Sequence, residues 1–375
     1  MGRASQRVYR YMEKTLKVLM IGSDRKLFES NSAVSERMKE YGTLTEELHI
    51  IVFSLKSMGL KPKQLGKNIW IYPTNSVTSL LKPFDAARIG KKIVFDRKFV
   101  RGESVITTQD PFESGWAGLK VKKRWRLPLE VQVHTDPSSP YFSGFLNNIR
   151  KMIARTVLAK ADSVRDVKTL PIYVDKEKIE NEPIKFDLHA RYPWHFIILT
   201  VSRLVSEKNL GLALEILALV RQRFPDTGLV MVGSGPEEKV LKLKVKSLKL
   251  EGAVGFAGWQ NELGSYYKTA NAFLQTSLFE GYGLSLVEAG LSGLPVVTTP
   301  VGIAQELEHG SDVYIYPATR PDLFSESIIE LIESNQKREN LRFNLKKTLE
   351  SKLLSKEQYL SRLKENWENT AKKIK

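Results

Sequence analysis

The chain has 375 residues, a formal net charge of +16, 42% hydrophobic residues, five histidines and no cysteine. That length exceeds one ordinary core, so two domains are expected; disulfides, thiolate catalysis and cysteine-ligated metals are excluded, and without a HExxH pair the histidines offer no zinc motif. No window approaches 18 uninterrupted apolar residues, the opening MGRASQRVYRYMEKTL lacks the apolar centre of a signal peptide, and Gln6 breaks the myristoylation pattern. Residues 1–185 carry 34 Lys and Arg against 20 Asp and Glu, leaving 24 against 22 for the remainder. A basic first half suggests an anionic partner, whether nucleic acid, anionic lipid or a phosphorylated substrate; general solubility charge is the plainer alternative.

In chain order, short apolar runs alternate with helical patterns. Strands are expected at Lys17–Gly22, Leu48–Ser54, Asn68–Pro73, Ser104–Thr108 and Glu130–His134, then at Phe196–Val201, Gly228–Gly233, Val254–Gly258, Ala272–Thr276 and Pro295–Thr299. Leu210, Leu214, Leu217 and Val220, with Ala213 beside them, mark one apolar helix face. A last helix over Lys356–Lys372 carries Tyr359, Leu360, Leu363 and Trp367 at helical spacing and needs an apolar surface to cover. Strands separated by helices predict an α/β protein with two doubly wound parallel sheets. The polar, proline-containing stretch Asp175–Trp194 reads as the linker. The expected division is a first domain over 1–178, its residues 1–16 a basic extension, a second over 179–350, and a C-terminal helical segment, 351–375, packing back toward the first. In such folds ligands sit beyond the carboxyl ends of the strands, where helix N-termini point.

Three strand ends of the second half carry candidate chemistry. SRLVSEKN places Arg203 and Lys208 between a strand and a helix that Asn209 could cap. Two cations beside a helix start can hold a phosphate, or can be solvated surface charges. In VGSGPEE, Gly233 and Gly235 allow a tight turn and a close approach to the backbone, with Pro236 suited to a first helical position. LFEGYGLSLVEAG sets Glu280 and Glu288 around Gly281 and Gly283, leaving the N–H groups of Gly283, Leu284 and Ser285 to meet an anion. Ser285 and Glu288 also have the spacing of a capping box, whereas Glu280 precedes the glycines and has no such role. Eight residues and a helical rise separate the two carboxylates, too far for a retaining hydrolase pair about 5 Å apart.

RLVSEKN, VGSGP, FEGYGLSLVEA and GLPVVTTPVG, in this order over residues 200–316, resemble the retaining glycosyltransferases of family 4, the group 1 glycosyltransferases. TTQDPFESG (Thr107–Gly115) and VQVHTD (Val131–Asp136) resemble the family's first half more loosely. The resemblance implies a GT-B fold, two Rossmann-like domains facing a cleft, and transfer of a hexose from a nucleotide-diphosphate-sugar with retention and without metal or other cofactor. Arg203 and Lys208 would neutralise the diphosphate, Glu288 bind the ribose hydroxyls and Glu280 contact the transferred sugar. The backbone from Gly281 through Gly283 to Leu284 would hold sugar hydroxyls and phosphate. His134, by itself readable as a core histidine, would face the reacting centre, with Asp110 nearby and the Gly22 turn approaching the diphosphate. After KADSV (Lys160–Val164) the family pattern continues with a further strand segment and a helix; here RDVKTLPIYVD follows at once, so the first domain reads as shortened.

The implied setting is the cytoplasm, where such enzymes build envelope polysaccharide or glycolipid on a sugar or lipid-linked acceptor. The cluster KVKKRWR (Lys120–Arg126), to which Lys61, Lys63, Lys67, Lys91 and Lys92 add, reads either as the end of a helix, where cations suit the dipole and Trp125 is core, or as a peripheral contact with the inner face of an anionic membrane. An epimerase or phosphorylase of the same fold is the alternative enzyme. A non-catalytic basic protein is the third reading, and no nucleic-acid motif supports a nucleic-acid partner.

Overall fold

A computed structural model describes residues 16–29, 32–133, 144–166 and 169–373. The chain forms two compact units, residues 1–170 with 357–375, and residues 171–356. The first unit opens with β1 (Lys17–Gly22), α1 (Ala33–Gly42), β2 (Glu47–Val52), β3 (Lys63–Gly66), β4 (Ile69–Pro73), α2 (Lys82–Asp96), β5 (Ser104–Thr108), α3 (Glu113–Trp125), β6 (Leu129–Gln132), α4 (Phe145–Lys160) and β7 (Ser163–Arg165). Its sheet runs β3-β4-β2-β1-β5-β6-β7, parallel except for the β3–β4 pair. Strands such as VLMI and SVITT are buried throughout because helices cover both faces of a parallel sheet. Leu19, Ile21, Ile51 and Ile106 meet Ala87, Ala117, Val121 and Val157 in the core beneath α2, α3 and α4.

The second unit contains α5 (Lys176–Asn181), α6 (Leu188–Arg191), β8 (Phe196–Val201), α7 (Leu210–Arg223), β9 (Thr227–Val232), α8 (Glu238–Ser247), β10 (Val254–Gly258), α9 (Gly264–Thr269), β11 (Ala272–Gln275), α10 (Leu284–Leu291), β12 (Val296–Thr298), β13 (Tyr314–Ile315), α11 (Pro321–Glu333) and α12 (Asn335–Lys352). Its sheet, β10-β9-β8-β11-β12-β13, is parallel in every pair. Leu210, Ala213, Leu214, Leu217 and Val220 of α7 are all buried against it, as their spacing requires. Both sheets are doubly wound, so the α/β class holds for this chain.

Helix α13 (Lys356–Ala371) belongs, from Glu357 onward, to the first unit. Its Tyr359, Leu363 and Trp367 are buried: Tyr359 stacks on Tyr41 of α1, and Trp367 meets the same ring edge-on at 5.8 Å. Beneath them lies a polar network on the fully buried Glu130. Its carboxylate accepts hydrogen bonds from Thr107 Oγ1 (2.8 Å), from Arg165 Nε (3.2 Å) and from Asn366 of α13. Burial pushes the Tyr41 hydroxyl well above the ordinary tyrosine range.

Two readings of the sequence change. The stretch Asp175–Trp194 is not a free linker: it belongs to the second unit and folds as α5 and α6. Its polar residues are caps and ion pairs, with Asp175 accepting from Lys178 N–H and Lys176 bonded to Glu350 at 2.7 Å. Trp194 anchors it by covering Gly228, where any side chain would collide with the indole, while its Nε1 donates to the Gly252 carbonyl at 3.0 Å. At the KADSV segment, Ser163–Arg165 form β7, parallel to β6; three residues with one buried side chain, Arg165, carry too little apolar pattern to announce a strand.

Candidate active site

In each sheet the chain winds outward in both directions from one pair of neighbouring strands, β1 and β5 in the first unit and β8 and β11 in the second. The loops after such a pair diverge and leave a crevice at the carboxyl ends. In the second unit the loop after β8 delivers Lys208 and the loop after β11 delivers Glu280. Lys208 Nζ lies 2.8 Å from Glu280 Oε2, and both side chains are only about an eighth exposed, at 12% and 13%. Ser277 Oγ donates to the other oxygen of Glu280 at 2.7 Å. The loops are tied together, since Thr276 Oγ1 donates to the carbonyls of Lys208 and Asn209 and Leu278 N–H to that of Glu207.

Ser202, Lys208, Gln275, Ser277, Glu280 and Ser285 line one hollow over these strand ends, about 10 Å³ in volume. That is the space of about one water. Gln275 is buried; its Nε2 donates to Thr298 Oγ1 at 3.1 Å, and its Oε1 has no hydrogen-bond partner, nor does the buried Oγ of Ser202. Such unmatched acceptors are costly in a core and ordinary where a polar ligand binds.

Helix α10 starts at this hollow. Gly283 is its N-cap at φ 93°, a left-handed conformation, and the first intrahelical bonds run from the N–H groups of Leu286 and Val287 to the Gly283 carbonyl. The N–H groups of Leu284 and Ser285 therefore precede the helical ladder, at its positive end. The capping box expected from Ser285 and Glu288 is absent: no side chain caps α10, and the helix begins two residues earlier than the box requires. Glu288 instead accepts a hydrogen bond from the Tyr267 hydroxyl at 2.8 Å. Burial raises its carboxyl above the ordinary value of 4.5, outweighing the lowering by the Tyr267 bond.

The remaining positions have specific surroundings. Arg203 is exposed and bonds to Glu207 Oε1 at 2.8 Å, so it does not line the hollow with Lys208. Asn209 stands at the N-cap of α7 with φ 47°, but its side chain makes no cap bond. A side chain on Gly233 would collide with the Ser202 carbonyl, and one on Gly235 with the backbone of Leu204 at 2.7–2.8 Å. These glycines let the β9 loop press against the β8 loop, with Leu204 N–H bonded to the Ser234 carbonyl. Pro236 lies two residues ahead of α8 rather than at its first position. Gly302, at φ 59°, allows the turn after β12 to close on the Tyr282 carbonyl, which accepts from Ile303 N–H at 2.7 Å.

In the first unit the Gly22 turn is covered by the Gln109 side chain. Asp110 turns its carboxylate inward to the N–H groups of Phe112 (2.8 Å) and Ser114 (3.3 Å), fixing the start of α3, and burial raises its carboxyl despite those bonds. Gln109 and Asp110, with Ser23, Asp24 and Arg37, border a cavity of about 440 Å³ at the β1–β5 switch. His134 lies outside the described residues.

Residues that sequence reasoning missed are Gln275, Ser277, Ser202 and Tyr267. The first three are polar residues at or just beyond strand ends, and that position was the available signal. Tyr267 lies in a different helix from Glu288, and nothing in the sequence joins them.

A pair of doubly wound sheets with an anion-ready helix start at the second switch point defines a GT-B protein. Among solved structures, sucrose-phosphate synthase from Thermosynechococcus elongatus overlaps it with a TM-score of 0.71 at 15% identity, covering 94% of this chain and 98% of that one. Anabaena HepE, solved in complex with UDP, overlaps at 0.69 and 18%, covering 94% and 99%. Residues 184–348, most of the second unit, match the family described as Glycosyl transferases group 1, and the chain resembles that family. The alpha-monoglucosyldiacylglycerol synthase of Acholeplasma laidlawii is 23% identical over 269 residues, 61% of this chain and 65% of that enzyme. An uncharacterized glycosyltransferase of Haemophilus influenzae is 28% identical over 172 residues, 45% of this chain and 47% of that protein.

Proposed function

We propose that the chain is a glycosyltransferase that moves a sugar from a nucleoside-diphosphate-sugar to an acceptor hydroxyl, with retention at the anomeric carbon and without a metal. The observation that carries this reading is the Lys208–Glu280 pair held against the start of α10 at the β8–β11 switch point. The hollow has no room for a diphosphate while the pair is closed, so donor entry exchanges one partner for another. Lys208 leaves Glu280 for the diphosphate, whose oxygens also meet the N–H groups of Leu284 and Ser285, and Glu280 is released to the transferred sugar. Glu288, at the far end of the first turns of α10, takes the ribose hydroxyls. Arg203 would have to leave Glu207 to reach a phosphate, and as an exposed pair that contact costs little to break.

The chemistry follows from where charge grows. The bond from the anomeric carbon to the phosphate oxygen lengthens, positive charge gathers on the sugar and negative charge on the departing diphosphate. Lys208 and the helix start bind that negative charge most strongly when it is largest. The acceptor oxygen bonds to the anomeric carbon on the face the phosphate leaves, and its proton passes to the departing phosphate oxygen. The positive charge a metal would supply comes from these fixed groups, and chelator should leave turnover unchanged. His134 and Asp110 are assigned near the reacting centre by family resemblance alone. The acceptor class we favour, a cell-envelope glycan or glycolipid made at the cytoplasmic face, draws for its glycolipid part on the similarity to the alpha-monoglucosyldiacylglycerol synthase of Acholeplasma laidlawii.

A thermal-shift panel of UDP-, GDP-, ADP- and TDP-sugars tests donor binding, since a ligand at 100 times its Kd adds about 2.7 kcal/mol of stability. Lys208→Ala should lower kcat/KM for the donor that binds by about 10²–10³, as for loss of one charge-stabilising donor. Near wild-type turnover in that variant would refute the assignment. Product analysis separates transfer from epimerisation or phosphorolysis at the same site.

A further inference from the structure

We infer that the side of the first unit built by α2, α3 and α4 docks on an anionic lipid bilayer. The two helical faces of this unit differ sharply. Helices α2, α3 and α4 together carry twelve Lys and Arg against three Asp and Glu, whereas α1 and α13 carry five of each. The charge excess of the sequence's first half is thus concentrated on one side of one sheet.

The same side exposes large apolar side chains. On α4, Phe145, Leu146, Ile149 and Met152 are 80%, 72%, 42% and 68% exposed. Phe145, Ile149 and Met152 recur every three to four residues with Leu146 beside them, so they form a stripe over the first turns of the helix, next to Lys151 and Arg155. On α2, Phe84 and Phe95 are 58% and 68% exposed, and Arg88 and Lys92 lie between them on the same face; Leu80 and Leu81 precede the helix and are exposed too. Between these helices α3 presents Trp116, against which Phe84 packs edge-on at 4.7 Å and Lys120 sits at 4.8 Å. Helix α4 bears four cations and no acid.

The chemistry of this surface selects its occupant. The aliphatic members of the set, Leu80, Leu81, Leu146, Ile149 and Met152, have no use for a phosphate backbone and cannot stack on bases, which argues against nucleic acid. The apolar residues stand on separate helices with cations between them, which suits a planar, anionic, apolar-cored surface better than a compact protein epitope. Phe and Leu enter the acyl boundary while Lys and Arg extend to the headgroups. No described helix is long and apolar enough to cross a membrane, so the contact is peripheral. The surface also differs from the cluster singled out in the sequence. Lys122 is engaged by Asp162, Trp125 is half-buried against Phe95 at 5.9 Å, and Lys63 and Lys67 lie at the β3–β4 edge of the sheet. The ends of α2 and α4, not the KVKKRWR run, hold the apolar anchors.

The test uses the full chain sedimented with vesicles of phosphatidylcholine alone and of phosphatidylcholine mixed with phosphatidylglycerol, and it needs no turnover, so it stands apart from the transfer reading. The expected result is binding to the mixed vesicles at least about tenfold tighter than to the neutral ones, weakened by salt. The set Phe145→Ser, Leu146→Ser, Met152→Ser and the set Lys91→Glu, Lys92→Glu, Arg155→Glu should each reduce it about tenfold or more. A matched reversal on the opposite face, Lys39→Glu, Arg362→Glu, Lys364→Glu, should leave it near wild type. All these positions are at least partly exposed, so thermal midpoints should change little; if the serine set fails to fold, the charge set decides. No vesicle binding at low salt, or equal loss from the opposite-face set, overturns the inference. So does tighter binding to an oligonucleotide than to the vesicles, or an α4 stripe that instead drives dimerisation without lipid binding.

Discussion

Glu280→Gln separates the proposed site from an ordinary buried ion pair, because it should tighten nucleotide binding while slowing transfer. In the structure the cation proposed for the diphosphate is already taken: Lys208 Nζ is 2.8 Å from Glu280 Oε2, with both side chains about 87–88% buried. Exposed pairs are worth at most about 1 kcal/mol, and removing one partner of a fully buried pair costs about 3–5 kcal/mol. At this burial, freeing Lys208 is worth about 2 kcal/mol, which converts to about a thirtyfold lower Kd for a nucleoside diphosphate. Glutamine keeps the shape and can still accept from Ser277. What it loses is the carboxylate proposed to take the transferred sugar, so kcat should fall by about 10²-fold or more even as UDP or its counterpart binds better. Titration calorimetry with the nucleoside diphosphate that stabilises the protein gives Kd, and initial rates at saturating donor give kcat. Weaker diphosphate binding in Glu280→Gln would show that Lys208 is not the group exchanged between carboxylate and phosphate. Unchanged turnover would remove Glu280 from the reaction.

Other outcomes follow from buried groups. Glu130→Leu strands the Arg165 guanidinium inside the first unit and frees the Asn366 tie to α13, so denaturant unfolding should show a loss of about 3–5 kcal/mol, most of it recovered by adding Arg165→Met. Glu288 has a folded-state carboxyl raised by burial, so its contribution to stability is complete below the ordinary value of 4.5 and is lost as pH rises through the folded value. The thermal midpoint of Glu288→Gln should therefore gain on wild type as pH climbs through that window, and parallel curves would contradict the raised carboxyl. The same variant should raise donor KM more than it lowers kcat.

The parts of this protein legible in its sequence are those where local physics leaves little choice. A parallel strand covered on both faces must be a run of buried apolar residues, so β1, β5, β8 and β9 were all visible, and Leu210, Leu214 and Leu217 marked the buried side of α7. Edge elements escaped: β3, with no buried residue, and β13, two residues long, have no such run. The stretch around Tyr192 and Trp194 read as linker because its aromatic residues anchor it to glycines 228 and 255, more than thirty residues away. The capping box failed for a local reason that sequence spacing does not hold. Gly283 can adopt a left-handed conformation and cap α10 by itself, which leaves Ser285 inside the first turn and turns Glu288 toward Tyr267.

The same logic explains why the candidate site was only half visible. Lys208, Glu280 and Ser285, which line the hollow, could be singled out because strand ends and glycine turns mark where a backbone opens, whereas Arg203, chosen by the same signal, is exposed and paired with Glu207. That Lys208 and Glu280 neutralise each other could not, because seventy-two positions separate them and only the β8–β11 adjacency joins their loops. Without that pairing the crevice would combine a lysine, an unmatched Gln275 carbonyl and a helix start in one desolvated hollow. A lone cation there is expensive, and the glutamate stabilises it until an anion arrives. On the proposed reading one carboxylate has two successive partners, a lysine in the ligand-free chain and a sugar in the loaded one. A residue placed at that position by its transfer role alone gives no hint of the first.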